Sequence, residues 1–78
     1  MKLRAVIERI TYQNGENGYS ILKARVMGYD DLVTLVGNML DVTVGTVLVA
    51  EGQWKVNRQY GSQFVVESYE EAMPATLF

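Results

Sequence analysis

Short runs of alternating apolar and polar residues, separated by clusters of Gly, Asn and Asp, make up most of this chain. A period of two places the apolar side chains on one face of a β-strand, and Gly and Asn tolerate the backbone of tight turns. The sequence does not sustain the helical spacing of three and four residues over any window. The pattern therefore predicts an all-β chain with little or no helix.

Five such runs predict strands, at residues 3–12, 19–27, 32–38, 47–56 and 63–69. In the first run the apolar residues change phase between Ile7 and Ile10, which predicts a β-bulge or a sharp coil. Residues 39–46 are few and rich in Thr, Val and Gly, so we expect at most one helical turn there.

The fourth run is expected to face the core with alternate residues, because Leu48, Ala50, Trp54 and Val56 share one phase. Gly52 lies between them, and a glycine lets a strand bend and lets a large side chain lie over its backbone. We therefore predict that Trp54 belongs to the core and packs over this glycine.

Five strands of these lengths without a real helix are expected to close into a small barrel. The long first and fourth strands and the long third connection favour a five-stranded OB-type Greek-key barrel, and an SH3-like barrel is the structural alternative. A chain of 78 residues forms one domain. We assign the barrel to residues 1–73 and the start of a linker to residues 74–78.

The composition argues against most catalytic chemistry. The absence of Cys and His removes disulfides, the usual zinc sites and the common nucleophile–base pairs. No G-x-x-x-x-G-K-[ST] phosphate-binding loop occurs. The neighbouring acids Asp30 and Asp31, and Glu70 and Glu71, are interpreted as solvated surface charges. We expect this chain alone to be no enzyme, with no catalytic residue, metal site or cofactor of its own.

Charge and hydropathy bound the location and the partners. A net charge of −2 argues against capture of nucleic acid by the whole surface, although a local basic face remains compatible with it. The chain has no apolar run long enough to span a bilayer and no signal peptide in residues 1–20. Together with the lack of Cys, this predicts a cytoplasmic domain without a membrane partner.

Several motifs occur in a characteristic order: ERITYQNGENGYSILKARV, then VTLVGN, VGTVLVAEGQWKV, YGSQFVVESYEE and PAT. Over about residues 7–76 this order resembles the N-terminal OB-fold domain of bacterial RecD-like DNA helicases. One difference is Ala5, since the family often has glycine where the first strand coils.

The resemblance implies an accessory domain of an ATP-dependent DNA helicase related to the exodeoxyribonuclease V alpha subunit. Such a domain would assist single-stranded DNA binding in DNA repair and recombination. ATP and magnesium would belong to motor domains outside this chain, which are expected as its intramolecular partners.

An OB-fold binds single-stranded nucleic acid across its second and third strands. The site lies between the loop that joins strands one and two and the loop that joins strands four and five. The outward phase of the second strand carries Tyr19, Lys23 and Arg25, and the last hairpin tip carries Arg58 and Tyr60. We predict that the two tyrosines stack on bases and that the three cations meet phosphates. Two rings and three cations predict weak, salt-sensitive binding.

The same residues also have a purely structural interpretation. Tyr60 could fold over Gly61 to complete the turn. Lys23 and Arg25 could form ion pairs across strands, for which the expected partners are Glu51 and Glu67.

A functional alternative is a protein–protein or interdomain docking module without intrinsic affinity for DNA. An exposed apolar surface would carry it, and single-strand-binding protein is a further candidate partner besides the motor domains. The residues assigned to this surface are Ile21, Leu32, Met39, Leu40, Leu77 and Phe78.

Overall fold

The backbone closes into a five-stranded barrel. The computed structural model describes residues 1–72, with strands β1 (Lys2–Gln13), β2 (Tyr19–Val26), β3 (Val33–Asn38), β4 (Val47–Asn57) and β5 (Gly61–Ala72). Their order around the barrel is β1-β2-β3-β5-β4. All neighbours are antiparallel except β3 and β5, which are parallel. The predicted all-β class and the small OB-type barrel are confirmed.

The described part of the chain is all strand and turn, and none of it forms a helix long and apolar enough to cross a membrane. The predicted strands all occur, and their ends differ from the prediction by at most three residues. The largest difference is at β5, which was predicted at residues 63–69. It is longer because it pairs with β4 along the whole length of β4, from Val47 to Asn57. Residues 73–78 lie outside the described residues.

β1 bends and forms hydrogen-bonded pairs with two neighbouring strands. Its first half pairs with β4, its second half pairs with β2, and Ala5 has a partner on each side. The register with β2 shifts between Ile7 and Arg9 and again between Ile10 and Tyr12. The first of these shifts coincides with the predicted change of phase between Ile7 and Ile10. Ala5 is fully buried where the two pairings overlap, so its small side chain suits the bend.

The connection between β3 and β4 closes one end of the barrel. It forms no helix, as expected, but Met39 and Val42 point into the core, with Met39 fully buried. The assignment of Met39 to an exposed surface was therefore wrong, because the connection folds back over the barrel instead of leaving it. Backbone hydrogen bonds hold it there, from Met39 N–H to the Gly18 carbonyl (3.1 Å) and from Gly45 N–H to the Ile7 carbonyl (2.8 Å).

Polar side chains complete this end of the barrel. Ser20 is fully buried, and its hydroxyl donates to the Gly18 carbonyl at 3.0 Å. Gln13 Nε2 donates to Ser20 Oγ (3.3 Å) and to the Met39 carbonyl (3.3 Å), so one amide joins β1, β2 and the connection. Among residues 1–72 every buried side-chain nitrogen or oxygen has a hydrogen-bond partner.

A tyrosine on β5 ties the same connection to the barrel. The Tyr69 hydroxyl donates a hydrogen bond to Asp41 Oδ1, and the ring packs partly buried against the core. The hydrogen bond to Asp41, then burial, then the negative charge of Asp41 raise the pKa of Tyr69 to about 12. The contact therefore requires the protonated hydroxyl of Tyr69.

The β4–β5 hairpin extends beyond the other end of the barrel. Residues 47–51 of β4 pair with both β1 and β5, whereas residues 52–57 pair with β5 alone. Trp54 faces the core side and is half-buried, as the phase predicted. Val56 is 81% exposed, so its assignment to the core was wrong. It lies on the part of β4 that pairs with β5 alone, beyond the strands that enclose the core.

Gly52 marks a close approach between the backbones of β4 and β5. A Cβ atom at this position would overlap the carbonyl oxygen of Val65 and would lie 3.1 Å from the Cα of Val66. The pairing with β5 shifts register between Glu51 and Gly52. The neighbour that requires a glycine here is the backbone of β5.

We expect Gly52→Ala to lower the free energy of unfolding by about 1–3 kcal/mol, because the new methyl group forces β4 and β5 apart. Urea denaturation followed by circular dichroism measures the change. Gly15→Ala is the matched control, since a Cβ atom there has no neighbour within 4 Å, and its effect should stay within about 0.5 kcal/mol. Equal stability of the two variants would contradict the close approach.

The raised pKa of Tyr69 predicts a dependence of stability on pH. The contribution of the Tyr69–Asp41 contact is fully present below the unfolded-state pKa of 10.0, and it is lost as the pH rises through the folded-state value of about 12. We therefore expect the stability advantage of the native protein over Tyr69→Phe to shrink between pH 10 and 12 in urea titrations. Tyr60→Phe, which removes an exposed hydroxyl, is the control. A difference between native and Tyr69→Phe that does not vary with pH would refute this linkage.

Candidate nucleic-acid interface

The outer face of β2 presents the side chains that the strand phase predicted. Ser20, Leu22, Ala24 and Val26 are buried, so the alternate residues Tyr19, Ile21, Lys23 and Arg25 point out of the barrel. Tyr19 is 40% exposed, which leaves much of its ring accessible. Ile21 is half-buried rather than fully exposed. Three of the five predicted binding residues therefore share one face.

The two cations of this face have different neighbours. Lys23 Nζ donates to Thr34 Oγ1 at 2.6 Å, and because threonine is neutral, this bond leaves the ammonium charge uncompensated. Arg25 Nη2 lies 2.5 Å from Glu8 Oε2 on β1. The expected pairing of these cations with Glu51 or Glu67 was therefore wrong. Within residues 1–72 the Arg25–Glu8 contact is the one ion pair, and Glu8 offsets part of the positive charge of this face.

The hairpin tip holds the other two predicted residues. Asn57 Oδ1 accepts hydrogen bonds from the backbone N–H groups of Gln59 (2.8 Å) and Tyr60 (3.0 Å), and Gly61 has a φ of 83°. These contacts form the turn, and they leave Arg58 exposed. Tyr60 is 69% exposed, so it does not fold over Gly61 as the structural interpretation suggested. The tip therefore presents a cation and an accessible ring to solvent.

A shallow groove of about 320 Å³ crosses the outer surface from β2 to β4; we call it the outer groove. Val36 of β3 and Val65 of β5 are paired and form its floor. Tyr19 lies on one wall and Lys55 on another. The remaining lining residues are Gly37, Val56, Asn57 and Gln63. The groove thus combines an aromatic ring, an apolar floor and a cation.

Tyr19 is the predicted binding residue that lines the outer groove; Lys23, Arg25, Arg58 and Tyr60 do not line it. Asn57, which precedes Arg58, connects the groove to the hairpin tip. Lys23 belongs to the adjoining strand pair, where Thr34 lies opposite it. The five predicted residues therefore do not form one site: Tyr19 lines the groove, Lys23 and Arg25 lie further along β2, and Arg58 and Tyr60 lie at the hairpin tip.

Two basic residues near these positions were missed from the sequence. Lys55 lies on the outward phase of β4, opposite Gln63, and reading that phase instead of the inward one would have found it. Arg9 pairs across the sheet with Lys23 and is exposed, but the shift of phase in β1 obscured its direction. Tyr12 pairs with Ile21 on the same face and adds a second ring, 48% exposed.

Acidic residues limit this surface on one side. A second hollow adjoins the outer groove at Tyr19 and Gly37, and it is lined by Glu67. Gln53 Nε2 donates to the carboxylate of Glu67 at 3.3 Å. A polyanion on Tyr19 would therefore be attracted towards Lys55 and repelled from Glu67. In the described part of the chain, no three Asp or Glu side chains lie together in a way that could hold a metal ion.

A family model described as the OB-fold domain of the ATP-dependent DNA helicase YrrC matches residues 1–74. The chain belongs to this family. Comparison with curated proteins found no match, and comparison with solved structures found none. Membership of the YrrC OB-fold family agrees with the barrel topology and makes the chain an OB-fold domain of a DNA helicase family. The helicase resemblance of the sequence motifs is thereby confirmed at this level.

The Arg25–Glu8 pair is exposed enough that we expect it to be weak and exchangeable, with 68% of the Arg25 side chain and 31% of that of Glu8 accessible. Glu8→Gln should lower the free energy of unfolding by no more than about 1 kcal/mol, and less at high salt. Urea denaturation at low and high salt measures it, with Glu16→Gln in the exposed β1–β2 turn as the control. A loss well above that of the control at both salt concentrations would show instead that Arg25 is fixed to Glu8.

Proposed function

We propose that this domain binds single-stranded DNA weakly, as the accessory domain of a RecD-like helicase of the exodeoxyribonuclease V alpha subunit type. Its role would be to assist DNA handling in repair or recombination, next to motor domains that use ATP and magnesium. The observation that supports the proposal is the outer groove, where Tyr19 and Lys55 flank an apolar floor. Membership of a DNA helicase family supports the choice of ligand.

The residues of the groove fit the parts of a nucleotide. An accessible ring such as Tyr19 stacks on a base, and each such contact contributes about 1–3 kcal/mol. Val36 and Val65 offer an apolar surface to the edge of the same base or of the next one. Lys55 in the groove, and Lys23 on the adjoining β2–β3 strand pair, neutralise phosphates, and this contribution weakens as salt rises. Arg58 and Tyr60 extend the interface at the tip.

The charge distribution predicts modest affinity. The chain carries seven basic and nine acidic residues, so no long-range attraction of DNA comes from the whole molecule. Binding depends instead on a few local contacts, and Glu67 bounds them on one side. We therefore expect the domain to add to the affinity of a larger helicase rather than to hold DNA tightly by itself.

The test is fluorescence anisotropy of a labelled oligothymidine titrated with the 78-residue chain at low and moderate salt. Tyr19→Ala should weaken binding at least about fivefold, since one stacked base is lost. Lys55→Gln should weaken it and reduce the slope of log K against log salt by about 0.7, the value for one phosphate of a single strand. Arg4→Gln is the control for charge. Arg4 lies in the first half of β1, where it pairs with Val49 of β4, and it does not line the groove.

Two outcomes would overturn the proposal. Equal losses in Arg4→Gln and Lys55→Gln would mean that net charge, not the groove, governs binding. No binding at high micromolar domain and low salt would remove autonomous DNA binding altogether, and a docking role would then be favoured. Of the residues first assigned to a docking surface, Leu32 and Leu40 are about half exposed, whereas Met39 is buried. Leu77 and Phe78 lie outside the described residues.

A further inference from the structure

A larger concave surface lies at the end of the barrel where the β2–β3 turn meets the β4–β5 hairpin. It has a volume of about 570 Å³ and is lined by residues 28–34 together with Trp54 and Ser62. We call it the barrel-end cavity. It is open to solvent, as is typical of a docking surface rather than of an enclosed ligand pocket. Neither the fold nor the proposed DNA interface requires it.

Aromatic side chains form a firm wall of the barrel-end cavity. Trp54 contacts the buried Phe64 edge-to-face, with ring centroids 5.4 Å apart and an interplanar angle of 72°. Tyr29 packs on Trp54 at 5.8 Å with an angle of 31°. The core therefore fixes one side of the indole, while Tyr29 and Leu32, each 41% exposed, leave apolar surface open to solvent. Aromatic groups held in this way are typical anchors of protein interfaces.

The charge of the barrel-end cavity is negative. Asp30 and Asp31 are the charged members of its lining, and both are exposed. Carboxylates repel phosphates, which disfavours nucleic acid here. A cation beside Trp54 or Tyr29 would gain both an attraction to the ring face and an ion pair with an aspartate. Ring, carboxylate and apolar surface together match a basic side chain between apolar neighbours.

We propose that the barrel-end cavity docks a partner protein through a segment in which an Arg or Lys side chain is flanked by apolar residues. The cation lies against the ring of Trp54 or Tyr29 and pairs with Asp30 or Asp31, and an apolar neighbour covers Leu32. The two proposals use different side chains of β4, because Lys55 points outward whereas Trp54 points towards the core side. The two surfaces adjoin at Thr34, which lines the cavity and accepts a hydrogen bond from Lys23.

The chain contains one tryptophan, so the indole N–H resonance of Trp54 reports on the cavity directly. The 78-residue chain, labelled with ¹⁵N, is titrated with the probe peptide acetyl-Leu-Arg-Leu-amide and, separately, with acetyl-Leu-Glu-Leu-amide. We expect the arginine peptide to shift the Trp54 indole and the amides of residues 28–34. The glutamate peptide should leave these resonances in place.

Variants test the role of the carboxylates. Asp30→Asn combined with Asp31→Asn should weaken binding of the arginine peptide at least about fivefold. Glu70→Gln combined with Glu71→Gln, which removes two neighbouring acids away from the cavity, should leave it unchanged. The same spectra show whether each variant keeps the native fold, and Asp31→Asn alone provides the measurement if the double variant does not.

Three results with the peptides would overturn the proposal: absence of a Trp54 shift at millimolar arginine peptide, equal binding of both peptides, or unchanged affinity in the aspartate variants. Oligothymidine that shifts the Trp54 indole in the same way as the arginine peptide would assign the cavity to nucleic acid, which also overturns it. Failure of DNA to bind the outer groove would leave the docking site unaffected, so the two proposals fail separately.

Discussion

The barrel depends on how closely the backbone of β5 approaches its two neighbours. On one side Gly52 of β4 leaves room for the Val65 carbonyl, and on the other a Cβ at Gly37 of β3 would lie 2.9 Å from the Val66 carbonyl. β5 is therefore enclosed between two positions without side chains. The parallel contact with β3 is short, with Leu35 opposite Phe64 and Val36 opposite Val65. This small area both closes the barrel and forms the floor of the outer groove.

The β4–β5 hairpin contributes side chains to two adjacent surfaces, one with acidic residues and one with a basic residue. Trp54 and Lys55 are neighbours in sequence, yet one lines a cavity with aspartates and the other a groove with a tyrosine. The overall charge of −2 does not reveal this difference, because it depends on which charged residues line each surface. One hairpin therefore contributes side chains to two surfaces that differ in charge.

Alternation of apolar and polar residues was sufficient to predict the five strands, their faces and the irregularity in β1. These features follow from local sequence, because the direction of a side chain in a strand depends on its phase. The outward position of Tyr19, Lys23 and Arg25 was predictable for the same reason. Arg58 and Tyr60 were also placed correctly at an exposed tip, since turn residues are local signals.

The incorrect predictions share another cause: each of them depends on contacts between residues that are far apart in the sequence. Met39 is buried because a connection folds back, and Val56 is exposed because the hairpin outreaches the barrel. The alternation of apolar and polar residues predicts neither the burial of Met39 nor the exposure of Val56. The partner of Arg25 and the groove position of Lys55 likewise follow from which strands meet around the barrel. Barrel closure, not local propensity, decides these contacts.

The register shift between Glu51 and Gly52 has a consequence for how the domain can change in evolution. It determines the pairing register of the hairpin beyond it, in which Trp54 is opposite Phe64 and Lys55 is opposite Gln63. A single-residue insertion or deletion within the paired part of either strand beyond this point would exchange its two faces, because side chains in a strand alternate. The turn at residues 58–60 lies outside this ladder, and hairpin turns of two to five residues are common. Length variation is therefore tolerated in the turn and excluded from the strands that it joins.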